Sequence, residues 1–210
     1  MQETSRRYFV SAGIMSGLIF TGAATAAARV LTPSGTEGPF YPDRLPLDTD
    51  NDLIKVGANG KTAAGEVFHL SGRILNREGA PYAGFVVEIW QCDANGIYLH
   101  SGDSGRGRFD DNFQGFGTAV TGANGGYRFR TIKPVSYPGR TPHIHFKVKA
   151  PNGREFTSQM YIAGHPRNER DFLYRRLGSS AAKNAASVAL FQAPELDRGA
   201  IKGTFDIVLI

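Results

Sequence analysis

Short runs in which apolar and polar residues alternate carry most of the pattern in this chain. Residues 67–75, 84–91, 126–132, 143–150 and 204–209 are rich in β-branched and aromatic residues, and glycine-bearing turns separate them. A period of two sends successive side chains to opposite faces, so these runs predict short strands. The turns agree: Arg77-Glu-Gly-Ala-Pro81, Asp93-Ala-Asn-Gly96, Ala123-Asn-Gly-Gly126 and Pro151-Asn-Gly153 carry the Gly or Asn that tolerates positive φ. Helical signal is scarce. One short helix is expected from a cap at Asn168 through Arg176, acids early and bases late. A second is expected over residues 181–191. Residues 31–52 are rich in Pro, Thr, Gly and Asp without a sustained period, and read as an irregular arm laid over the body. The expected class is all-β: a single-domain β-sandwich with an irregular N-terminal arm and one or two short helices. The expected boundaries are 1–28 for an export signal, 29–66 for the arm and 67–210 for the sandwich.

The opening residues change that picture in one respect. Ser5-Arg6-Arg7-Tyr8-Phe9-Val10 runs into a weakly apolar stretch at 14–20 and then into small residues ending at Ala28. That order is the layout of a twin-arginine export signal, cleaved after Ala26 or Ala28. The apolar stretch falls short of the roughly 20 residues that a membrane span needs. The expectation is export to the periplasm or the extracellular space, with no stable membrane insertion after cleavage. Twin-arginine routes carry proteins that fold before export, often around a metal. Cys92 is the only cysteine, so no intrachain disulfide exists, and its place in an alternating run reads as an inert strand thiol. The formal net charge is +5, with the basic residues scattered and Arg175-Arg176 the only adjacent pair after the leader. No aromatic-basic stripe of the kind nucleic acid requires is present, so no nucleic-acid partner is expected; the mild positive excess suits anionic aromatic acids.

The chemistry concentrates in Lys133-Pro-Val-Ser-Tyr137-Pro-Gly-Arg140-Thr-Pro-His143-Ile-His145-Phe-Lys-Val148. On a strand His143 and His145 share one face, so their imidazoles converge, an arrangement that serves either as a metal-ligand pair or as a structural pair. What completes such a site decides the metal. No His-Glu-x-x-His helix and no second cysteine is present, and residues 131–150 contain neither Asp nor Glu. Tyrosine is available instead: Tyr137 sits six residues before His143, and Tyr98 closes the Asp93-Ala-Asn-Gly-Ile-Tyr98 turn. Each reads equally as a turn aromatic covering the core edge. A phenol with a pKa near 10 ionises at neutral pH only beside a strong Lewis acid, and phenolate favours Fe(III) over Fe(II).

Several strings together resemble the intradiol ring-cleavage dioxygenases, the protocatechuate 3,4-dioxygenase and catechol 1,2-dioxygenase group. They are Thr36-Glu-Gly-Pro-Phe-Tyr41, Leu70-Ser-Gly-Arg-Ile74, Val87-Glu-Ile-Trp-Gln-Cys-Asp-Ala-Asn-Gly-Ile-Tyr98, Tyr127-Arg-Phe-Arg-Thr-Ile-Lys-Pro134, Tyr137-Pro and His143-Ile-His-Phe146, and they span most of the chain beyond the leader. The resemblance implies a non-haem Fe(III) enzyme that cleaves a catechol-type ring between its hydroxyl carbons, with O2, to a cis,cis-muconate-type product. It implies iron held by Tyr98 and His143 as equatorial ligands and by Tyr137 and His145 as axial ones. Tyr137 would also take a substrate proton. Arg140 matches an arginine flanking the iron, and Gln159 a glutamine behind it.

One departure touches specificity. Only Pro-Gly-Arg-Thr-Pro separates Tyr137 from His143, where well-known members carry a longer loop with a tryptophan, so a more open pocket is expected. No long helical extension of the catechol 1,2-dioxygenase kind is seen, which brings the chain nearer the protocatechuate type, with a homo-oligomer or a second subunit expected. Two other readings stand beside this one: a non-catalytic β-sandwich that binds a ligand or protein, and a hydrolase using another metal at the same His pair.

Overall fold

The alternating segments build two five-stranded sheets, in a computed structural model that describes residues 28–57 and 61–210. Apart from Ala28, the segment read as an export signal lies outside the described residues. β1 (Val67–Asn76) is the axis of the first sheet. It pairs antiparallel with β4 (Gly126–Ile132) and in parallel with β9 (Ile201–Thr204) and β10 (Ile207–Leu209). Phe68 faces Ile201 and Ile74 faces Ile207, so β9 and β10 keep one register on either side of Phe205-Asp206. At that break the two backbones crowd: a Cβ on Gly72 would lie 1.9 Å from the Phe205 carbonyl oxygen, which only glycine accommodates. β8 (Phe191–Gln192) adds an edge on β9.

The second sheet has the order β3 (Phe116–Val120), β2 (Val86–Trp90), β5 (His143–Lys149), β6 (Glu155–Ile162) and β7 (Ser187–Val188), antiparallel except for the last pair. The core lies between the sheets, with Phe68, Leu70, Ile74 and Phe129 meeting Ile89, Ile144, Phe146 and Val148. Burying such side chains stabilises the fold by roughly 1.5–3 kcal/mol each relative to exposure.

Because Ile144, Phe146 and Val148 take the core face of β5, period two sends His143, His145 and Lys147 to the opposite face. That face is nonetheless buried, since the arm covers it. Glu37 pairs with Lys147 Nζ at 2.5 Å, the Lys147 ammonium sits 3.7 Å from the centre of the Tyr41 ring, and Tyr41 donates to Glu88 at 2.9 Å. Phe40 and Tyr41 pack on a second apolar cluster of Trp90, Cys92, Tyr98 and Phe116.

The structure departs from the pattern-based expectation in places. β3 and β6 lie outside the expected runs; Ser158 and Gln159 are buried polar residues that break the apolar alternation of β6. The first helix is shorter than expected. Asn168 opens a 3-10 turn, its side chain occupied by the Ile162 carbonyl and the Thr141 hydroxyl, and Asp171 caps α1 (Phe172–Arg176) instead. The second expected helix over 181–191 is also corrected. α2 (Ser180–Ala185) is capped by Ser179, and the chain then extends into β7 and β8 because Val188 pairs with Ile162 and is buried there. Among the described residues no helix is long and apolar enough to cross a membrane.

Candidate active site

His143 and His145 occupy the arm-covered face of β5 and are 1% and 2% exposed, so any charge on them is unsolvated. The His143 Nδ1–H donates to the Thr141 carbonyl at 2.7 Å, which leaves a lone pair on Nε2. That Nε2 lies 3.2 Å from His145 Nε2 and 3.4 Å from the Tyr98 hydroxyl. Burial pulls His143 down to about 3, helped by the Arg140 charge, and pulls His145 well below its ordinary value, helped by His143 and then Arg140. Both rings are therefore neutral near pH 7. The Trp90 indole stacks on His145 with centroids 4.8 Å apart. Among the described residues His145 Nδ1 has no hydrogen-bond partner, so its ring is held by packing and through Nε2.

Tyr98 is set by the turn that follows β2. The buried Asp93 carboxylate accepts from the Asn95 and Ile97 amides at 2.8 and 3.0 Å, and Gly96 takes φ +77° between them. Asp103 then accepts from the Tyr98 amide at 2.9 Å, and Phe40 stacks on the Tyr98 ring at 4.8 Å. The Tyr137 turn packs against the Tyr98 turn, with the two phenol rings edge to face at 5.6 Å. Burial raises both phenols. Cys92 and Tyr137 push Tyr98 further up, whereas Arg140 offsets part of the rise at Tyr137. Even with Arg140 beside them, neither phenol ionises near neutrality without a stronger Lewis acid.

Arg140 organises the remaining side. Its Nε donates to Asp171 at 2.8 Å, Nη1 to the Tyr137 hydroxyl at 3.3 Å and Nη2 to Gln159 Oε1 at 2.6 Å. Gln159 Oε1 also accepts from the Tyr161 hydroxyl at 2.9 Å, and its amide donates to the Thr36 carbonyl of the arm at 3.1 Å. The six residues singled out in the sequence thus meet at one place. Sequence reasoning missed Asp171, and also Phe40 on the Tyr98 ring and Trp90 on the His145 ring, with Tyr41 packed behind Trp90. An Asp directly before Phe-Leu-Tyr was a legible cap signal for the first of these.

A cleft of about 190 Å³ opens on the Tyr137 side, lined by Tyr137, Gly139, Arg140, Thr141, Arg167, Arg170 and Asp171. A more apolar hollow of about 320 Å³ lies elsewhere, among Leu31, Tyr82, Phe85, Phe156 and Val208, and contains none of the site residues. The chemistry, and not the apolarity, marks the relevant cleft.

Comparison with known proteins places this geometry in a class. A family model described as Dioxygenase matches residues 36–209. The chain is 36% identical over 169 residues to the protocatechuate 3,4-dioxygenase beta chain of Burkholderia cepacia, covering 76% of this chain and 71% of that one. It is 31% identical over 161 residues to catechol 1,2-dioxygenase 1 of Acinetobacter lwoffii, covering 68% of this chain but only 50% of the relative. Among solved structures, the dioxygenase domain of a dioxygenase carbohydrate-binding fusion from Streptomyces sp. SirexAA-E superposes with a TM-score of 0.67 at 32% identity, over 86% of this chain and 98% of that one. The chain belongs to the intradiol ring-cleaving dioxygenase family.

Proposed function

We propose that this chain is an Fe(III)-dependent dioxygenase that opens a catechol-type ring between its two hydroxyl carbons with O2, giving a cis,cis-muconate-type diacid. The observation that carries the reading is the convergence of a neutral imidazole pair, Nε2 to Nε2 at 3.2 Å, with a buried phenol 3.4 Å from one of them. The donor set fits ferric iron. The phenols of Tyr98 and Tyr137 lie beside the two imidazoles, and as phenolates their oxygens favour a hard trivalent ion.

Tyr98, Tyr137, His143 and His145 would hold the iron. When bound, the ion would supply Lewis acidity that activates a catechol toward O2. The protein's own groups do the rest. The Thr141 carbonyl fixes the His143 lone pair inward, and Phe40 and Trp90 keep Tyr98 and His145 in place and dry. Tyr137 Oη, as the phenolate that the bound ion would hold, takes a substrate hydroxyl proton, and Arg140, already donating to that oxygen, stabilises negative charge building on the ring. Arg167 and Arg170 line the cleft beside Arg140, which favours an aromatic diol bearing an anionic substituent.

The test is direct: ferric protein must show a broad visible phenolate-to-iron charge-transfer band and consume O2 while opening a panel of 1,2-dihydroxybenzenes. Colourless protein that takes up no iron, or iron-loaded protein that opens no ring, defeats the reading. We further propose association with a second subunit or with further copies of this chain, a reading supported by the likeness to a protein named as a beta chain. Residues 1–28 are proposed as a twin-arginine leader, and N-terminal sequencing of exported protein checks it: a mature start near Arg29 is expected.

A further inference from the structure

We propose that Asp171 is a positioning residue that holds the Arg140 guanidinium at Tyr137 and, through Thr141, the His143 ring at its working angle. This rests on the reading of Tyr137 and His143 as iron ligands. The Asp171 side chain is fully buried and each of its oxygens is used twice. Oδ1 accepts from the Leu173 and Tyr174 amides at 2.9 and 3.1 Å, capping α1. Oδ2 accepts from Arg140 Nε at 2.8 Å and from the Thr141 amide at 2.9 Å. One carboxylate therefore ties a helix N-terminus to the two residues whose other polar groups face the site: Arg140 through Nη1 to Tyr137, and Thr141 through its carbonyl to His143 Nδ1.

A five-residue helix is a weak anchor by itself, so the charge matters more than the cap. The guanidinium is planar and its donors are fixed in a fork. With Nε held by Asp171 and Nη2 by Gln159, Nη1 has one direction left, toward the Tyr137 oxygen. Without the carboxylate, Arg140 can pivot about Gln159 and Thr141 loses its amide anchor. An alternative account makes Asp171 only a helix cap, and the two accounts differ in what Asp171→Ser does. Serine caps a helix about as well as aspartate but cannot reach or balance the guanidinium.

The experiment compares wild type, Asp171→Ser, Arg140→Ala and the double variant. In iron-free ¹⁵N-labelled protein, the Arg140 Nε–H should give a protected resonance, assigned by its loss in Arg140→Ala, that disappears in Asp171→Ser while the α1 amides stay protected. In ferric protein, Asp171→Ser should lower kcat at least tenfold and shift the charge-transfer band. The double variant should lose clearly less than the product of the two single losses, because Asp171 acts in large part through Arg140 and only the remainder passes through Thr141. Retention of the Arg140 signal, unchanged kcat in Asp171→Ser, or losses that multiply in the double variant would each overturn the proposal. Should Asp171→Ser not fold, Asp171→Thr, which also caps a helix and is equally short of the guanidinium, carries the same readings. A wild type without ring-opening activity would remove the functional reading, while the iron-free resonance still decides whether Asp171 holds Arg140.

Discussion

Acidifying the iron-free protein from pH 7 to pH 5 is expected to destabilise it by about 2 kcal/mol through His143 alone. The ring is 1% exposed, and burial brings its folded pKa from 6.5 to about 3. The unfolded chain therefore binds a proton through this group over a range in which the folded chain does not. With a depressed folded value, the stabilisation is complete above pH 6.5 and is lost as pH falls toward 3, at about 1.4 kcal/mol per pH unit. From 6.5 to 5 that is about 2 kcal/mol, and His145, lowered for the same reason, acts in the same direction. Asp171 stays out of this window. Burial opposes its ionisation, but the Thr141 and Tyr174 amides and Arg140 outweigh burial and lower its carboxyl, so its contribution is lost only below pH 4. The assay is urea unfolding of iron-free protein at pH 7, 6 and 5. With a slope of about 2 kcal/mol per molar, the midpoint should fall by about 1 M or more. His143→Gln should remove about half of that fall. A midpoint that does not move between pH 7 and 5, or a His143→Gln variant that keeps the whole decline, would refute the reasoning.

Tyr137→Phe should retain iron with an altered charge-transfer band and lose turnover by about a hundredfold, the scale of a lost proton acceptor; an unchanged spectrum and rate would remove Tyr137 from the site. Gly72→Ala drives a methyl into the Phe205 carbonyl and the Tyr127 hydroxyl, so chemical denaturation should show a loss of about 3 kcal/mol, and a loss below 1 would mean the two strands slide apart freely. Joint replacement of Arg167 and Arg170 by alanine should raise KM for a carboxylate-bearing catechol about tenfold more than for catechol itself in steady-state kinetics; equal effects would place the anion elsewhere.

What could be read from the sequence follows from how local each signal is. The His143-Ile-His145 face, the Asp93–Gly96 turn and the run of β1 are set by neighbours within a few positions, and all three appear as expected. That Tyr98, Tyr137, His143 and His145 converge was legible because two are fixed by strand period and two by motif. β6 was not, because its buried positions include Ser158 on one face and Gln159 on the other, polar groups satisfied by the Pro33 carbonyl, by Tyr161 and Arg140, and by the Thr36 carbonyl. The link from Asp171 to Arg140 joins residues 31 positions apart, and only the packed loops reveal it. Likewise, nothing local says that Asn168 gives up its capping role to serve the Ile162 carbonyl.

The donors differ in how firmly the scaffold grips them. β5 is hydrogen-bonded along both edges, to β2 and β6, so His143 and His145 ride on one of the last segments to open in any local fluctuation. Tyr98 and Tyr137 hang from turns outside the ladders. In the proposed ferric site, an ion that escapes would leave two nitrogens still standing in register, and recapture would start from that half while the oxygens swing in afterwards.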